Sequence, residues 1–66
     1  MKIKYDKKID AAYIYLIEGE FKVDFTYSCD PSEINTEINL DFDSTGRLIG
    51  IEIQNASSKL DKKLLK

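Results

Sequence analysis

The sequence predicts an α+β domain that is mainly an antiparallel β-sheet, a meander of about five strands with one short C-terminal helix. Three observations predict it. Several short stretches alternate apolar with polar residues, the period of a half-buried strand. Turn-forming clusters punctuate them at Asp6-Lys7-Lys8, Glu18-Gly19-Glu20, Asp30-Pro31-Ser32 and Asp43-Ser44-Thr45-Gly46. After Asn55 the apolar spacing lengthens, with Ala56, Leu60 and Leu64 four residues apart, as on one stripe of a helix.

The elements follow in order. Residues 2–6 place Ile3 and Tyr5 on one face. Residues 11–18 are apolar almost throughout and rich in aromatic and β-branched types, which predicts a central strand or one with a face against a partner. Glu18-Gly19-Glu20 reads as a hairpin turn into residues 21–29, where Phe21, Val23, Phe25, Tyr27 and Cys29 share a face. Pro31 cannot donate to a ladder and breaks that run. Residues 35–43 and 47–54 form the last hairpin, closed by Gly46 in the left-handed conformation. Gly50 inside the final strand marks a bulge or the close approach of another chain. Asn55 is the expected N-cap of the helix, with Ser58-Lys59-Leu60-Asp61 as a second start.

A chain of 66 residues is a single domain (1–66), near the lower limit for folding alone. Chains this short are held by disulfides, a metal or a partner subunit. Cys29 is the sole cysteine and there is no histidine, so an internal disulfide and a structural zinc site are both excluded. Oligomerisation is the remaining staple. The start alternates charged and apolar residues and has no signal-peptide core. No apolar run approaches the roughly 20 residues that span a bilayer. With one lone thiol, the expected compartment is the cytosol.

Charge is unevenly spread. Nine acids stand against Lys22 and Arg47 over residues 18–52, a net −7, whereas residues 55–66 carry Lys59, Lys62, Lys63 and Lys66 against Asp61, a net +3. The acidic middle argues against nucleic-acid binding by the sheet. The C-terminal lysines read as the solvated face and dipole partners of the helix.

Two stretches carry a family resemblance. Tyr5-Asp6 with Ile9-Asp10-Ala11-Ala12-Tyr13-Ile14-Tyr15-Leu16 forms the first. The second comprises Asn39-Leu40-Asp41-Phe42-Asp43, Gly46-Arg47-Leu48-Ile49-Gly50-Ile51-Glu52-Ile53 and Asn55-Ala56-Ser57. Together they resemble the prokaryotic family called domain of unknown function 2283, over residues 3 to about 60; residues 21–38 match none of its pattern. The resemblance implies a shape and no activity. Some members resemble the neutralising half of two-gene modules that encode a compact toxin-like protein.

Chemical motifs are few. Counting Asp41 as the first position of a calcium loop puts Gly46 at the sixth and Glu52 at the twelfth. The flanks are strands rather than helices, so the hairpin turn is the simpler reading. Asp10, Asp41, Asp43 and Glu52 could form a carboxylate cluster if the first hairpin lies against the last. Asp10 also suits closure of a turn by accepting from backbone N–H groups. Cys29 has no histidine to activate it, no glycine-rich phosphate loop exists, and the residues call for no cofactor. No catalytic residue is assigned; an enzyme here would rely on carboxylates and a tyrosine alone.

A size argument turns the fold into a functional expectation. Five strands about 4.8 Å apart make a sheet roughly 20–25 Å wide, which one helix about 10–12 Å across cannot cover. The sequence therefore predicts a homodimeric protein–protein interaction module, with Tyr13, Tyr15 and Ile17 as interface residues and a small basic protein, toxin-like, as a further partner for the acidic middle. The alternative is a small-molecule or divalent-metal binder that uses Asp41, Asp43 and Glu52 with Asp10. No membrane association is expected.

Overall fold

In a computed structural model that describes residues 1–65, β1 (Lys2–Asp6) and β2 (Ala11–Tyr15) form an antiparallel hairpin. A second antiparallel unit comprises β3 (Phe25–Ser28), β4 (Ile38–Phe42) and β5 (Leu48–Gln54). β5 pairs with β2, giving one five-stranded sheet in the order β1-β2-β5-β4-β3. The predicted fold class is the observed one, and β2 lies inside the sheet as its apolar sequence requires.

The meander is interrupted at one place. Glu18-Gly19-Glu20 does not close a hairpin, because β2 and β3 are not neighbours. Residues 17–24 instead carry the chain past the end of the β4–β5 hairpin to the far edge of the sheet. Of the predicted 21–29 strand, Phe25–Ser28 form the ladder, extended at its ends by the Asp24 N–H donating to the Phe42 carbonyl and the Cys29 N–H donating to the Ile38 carbonyl.

Three short helical turns complete the described residues. Asp30-Pro31-Ser32 is more than a turn: Pro31–Ile34 form α1, with Asp30 as N-cap accepting from the Ser32 N–H at 2.9 Å and Asn35 as a left-handed C-cap. Pro31 suits the first helical turn, where its missing N–H costs no hydrogen bond. The predicted C-terminal helix is split. α2 (Ala56–Lys59) stops where Leu60 turns extended, and Lys62–Leu64 make a separate 3₁₀ turn capped by the Asp61 carboxylate. Lys59, Lys62 and Lys63 are exposed; Lys66 lies outside the described residues.

Directly opposed residues in a ladder share a face, so the register defines both faces. One face is apolar: Ile3 and Tyr5 of β1, Ala12 and Ile14 of β2, Ile51 and Ile53 of β5, Ile38, Leu40 and Phe42 of β4, Phe25 and Tyr27 of β3. The other carries Lys2, Lys4, Tyr13, Tyr15, Glu52, Gly50, Asn39, Asp41 and Thr26.

The core is small. Ala12, Ile49, Ile53 and Ala56 are the buried apolar residues, and Leu60 and Leu65 pack over the Ala12–Ile53–Ala56 end of the apolar face. The molecule is a slab of 32 × 27 × 17 Å, with a radius of gyration of 12.1 Å against about 10.8 Å for a compact domain of this length. No helix among the described residues is long and apolar enough to cross a membrane.

Candidate functional site

The polar face is organised around Gly50. The Tyr13 ring lies directly over it, and Phe21, brought across by the 17–24 link, packs edge-on against Tyr13 and Tyr15 with ring centroids 5.9 and 5.2 Å away. A Cβ on Gly50 would stand 2.7 Å from Tyr13 Cζ and 2.9 Å from Phe21 Cζ. Glycine is therefore set here by the close approach of a ring. The ladder also shifts register beside it, between Asp41 and Phe42. Phe21 thus sits on the face opposite Phe25 and Tyr27, against the shared face that alternation predicts.

Tyr13 donates its hydroxyl to Asp41 Oδ2, and Thr26 donates to Asp41 Oδ1 at 2.6 Å. Burial first, then the Asp41 hydrogen bond and charge, push the Tyr13 phenol well above its ordinary value. A phenol held this firmly protonated is a donor and not a base. Asn39 donates to Glu52 Oε1 at 2.9 Å beside it.

Asp10 joins the two ends of the chain. It sits in the left-handed region at φ 52°, which aspartate tolerates better than most residues. Its Oδ1 accepts from the Tyr5 hydroxyl at 2.7 Å and the Ser57 N–H at 3.0 Å, its Oδ2 from the Ser57 hydroxyl at 2.7 Å. Its carbonyl accepts from the Ala56 N–H at 2.9 Å. Asn55, the expected N-cap of α2, makes no side-chain cap bond. Asp10 supplies the cap from 47 residues away instead. The Tyr5 hydroxyl first, then the Ser57 hydroxyl, hold its carboxyl below the usual carboxylate range. Asn55 turns to the buried Thr36, which donates to the Gln54 carbonyl at 2.7 Å and accepts from Asn55 Nδ2 at 3.0 Å.

The four carboxylates do not converge. Asp10 serves α2, Asp41 serves Tyr13 and Thr26, and Glu52 serves Asn39. Asp43 accepts from the Thr45 N–H and hydroxyl at 2.9 and 2.7 Å and from the Arg47 N–H at 3.0 Å, closing its own turn. The Thr45 hydroxyl first and the Arg47 N–H next lower its pKa. Among the described residues no group of three or more such ligands is placed to hold a metal ion. A shallow open depression of about 590 Å³ beside the β1–β2 hairpin mixes Lys4, Lys7 and Lys8 with Asp6 and Glu52.

The expected interface residues fall in different settings. Tyr13 and Tyr15 are half-buried against Phe21, and Ile17 is 39% exposed at the rim. The least covered aromatics lie on the apolar face, where Phe25 is 57% and Tyr27 54% exposed and the Phe25 ring sits 6.1 Å from Phe42. Period-two alternation aligned Phe25 and Tyr27 in the sequence; it gave no sign that β3 would be an edge strand with nothing over it. Cys29 is half-buried.

Comparison with curated proteins and with solved structures gives no match. The family model described as Protein of unknown function (DUF2283) matches residues 2–57, from the β1–β2 hairpin to the serine that Asp10 caps; the chain belongs to that family.

Proposed function

We propose that this chain is a protein–protein interaction module that pairs with a second copy of itself. One observation carries the reading. The surface of the chain is 5064 Å², whereas a compact monomer of 7.6 kDa exposes about 4,300 Å². The excess, about 800 Å², is what one partner gives up in a standard interface of about 1,600 Å² in total. The slab shape and the four-residue apolar core support the same reading.

The acidic residues of the 18–52 stretch suit a basic protein as a further partner, through charge complementarity that speeds encounter and selects against acidic surfaces. The single thiol suits the cytosol. Multi-angle light scattering at several concentrations tests the pairing, with a two-chain mass expected; a one-chain mass throughout would end it. Affinity purification from the native host tests the basic partner, which is abandoned if no basic protein co-purifies.

A further inference from the structure

We infer that the second copy docks on the apolar face of the sheet, at the end that α2 leaves open, so that two sheets pack face to face about a two-fold axis. This rests on the pairing proposed above and adds which surface makes it.

The observations single out that face. The C-terminal segment covers only the end around Ala12, Ile53 and Ala56. Beyond it Ile14, Ile51, Leu40 and Phe42 are partly open, and Phe25 and Tyr27 stand more than half exposed. An aromatic side chain carries about 150–250 Å², so these last two leave roughly 200 Å² of ring in water. No strand position on the apolar face bears a charge. A two-fold axis through its open end sets no strand charge against its own copy, as an isologous contact demands.

The polar face fails the same requirement. Lys2, Lys4, Asp41 and Glu52 lie across it, and the 17–24 link with Phe21 already covers its aromatic part. Face-to-face sheets pack about 10 Å apart with interleaved side chains. The paired slab would thus gain the second layer the single chain lacks, and both polar faces would point outward.

The test compares three proteins by light scattering at equal concentration, with far-UV circular dichroism as the check on folding. The wild type is expected at two-chain mass, the Phe25→Glu/Tyr27→Glu variant at one-chain mass with its sheet signal kept, and Ile17→Glu at two-chain mass. A double variant that stays paired overturns the assignment to this face while leaving self-association standing. A wild type at one-chain mass overturns both. Should the double variant not fold, isotope-filtered nuclear Overhauser spectra of mixed labelled and unlabelled wild type decide. Contacts between copies from Phe25, Tyr27, Leu40 and Phe42 are expected; contacts from Tyr15 and Ile17 in their place overturn the inference.

Discussion

Replacing Gly50 with alanine adds a single methyl group beneath two rings. The new carbon would stand 2.7 Å from Tyr13 Cζ and 2.9 Å from Phe21 Cζ, about an ångström inside normal contact. Phe21 sits on a link and can yield, but Tyr13 is tied to Asp41 and cannot lift without releasing that bond. Overpacking of this kind costs about 1–3 kcal/mol; a ring that swings out instead forfeits its hydrogen bond, about 1 kcal/mol, and the burial of a half-buried ring, about 1 kcal/mol more. Alanine returns about 0.5–1 kcal/mol relative to glycine inside a strand. The net loss is about 1–2 kcal/mol. With an unfolding entropy of about 2.1 cal/mol/K per residue, a 66-residue chain shifts by about 7 °C per kcal/mol, so Tm falls by about 7–14 °C. Thermal melts followed by circular dichroism at one fixed concentration read this directly. The control is Tyr13→Ala, which removes the obstructing ring; adding Gly50→Ala to it should cost nothing or stabilise slightly. Equal penalties with and without the ring, or a Gly50→Ala melt within about 2 °C of wild type, would refute the reasoning.

Three further outcomes are expected. Thr36→Val keeps the shape of a buried side chain but strips the donor to the Gln54 carbonyl and the acceptor for Asn55, so it should cost about 1–2 kcal/mol in urea unfolding, with Thr36→Ser recovering most of it. Asp10 has a carboxyl pKa below its ordinary value, so its contribution is complete above about pH 4 and is lost as pH falls through the folded pKa. Tm measured from pH 6 to pH 2 should accordingly fall less steeply for Asp10→Asn than for wild type, and equal slopes would count against the Asp10 cap. Tyr13, whose phenol is raised, stabilises the fold below its unfolded pKa of about 10, and that contribution drains away as pH rises further, because the unfolded chain ionises first. Tyr13→Phe should therefore lose less stability than wild type between pH 9 and pH 11.5 in equilibrium unfolding.

Local signals in the sequence proved legible and distant ones did not. The Asp43–Gly46 turn and the flanking β4 and β5 follow from neighbouring residues, since alternation and turn chemistry act over a few positions. The 21–29 stretch shows the limit. Its alternation is genuine, but a period fixes which side chains share a face only where a ladder holds the backbone flat. Residues 21–24 precede the β3 strand, and Phe21 crosses to the opposite face. The split of the C-terminal helix reflects competition by Asp61, whose carboxylate caps a new turn at Lys63. The Asp10 contact with Ser57 and the Tyr13 contact with Asp41 span 47 and 28 residues, and no spacing rule reaches that far. The size argument from strand widths implied apolar area on the sheet that no helix covers, expected around Tyr13, Tyr15 and Ile17, whereas the more exposed aromatics are Phe25 and Tyr27. Which face kept that area depended on where the 17–24 link ran.

The strand order has one more consequence. Because β2 meets β5 instead of β3, a seam runs down the middle of the sheet between a two-stranded and a three-stranded piece, each wired by local turns. Only residues 17–24 bridge the pieces covalently, and Gly19, exposed at φ 85° with open space around it, sits within that bridge. The chain is thus built as two complementary halves. Peptides 1–19 and 20–66, mixed, should rebuild the sheet signal that neither gives alone, with Asp10 and Ser57 acting as the clasp across the cut.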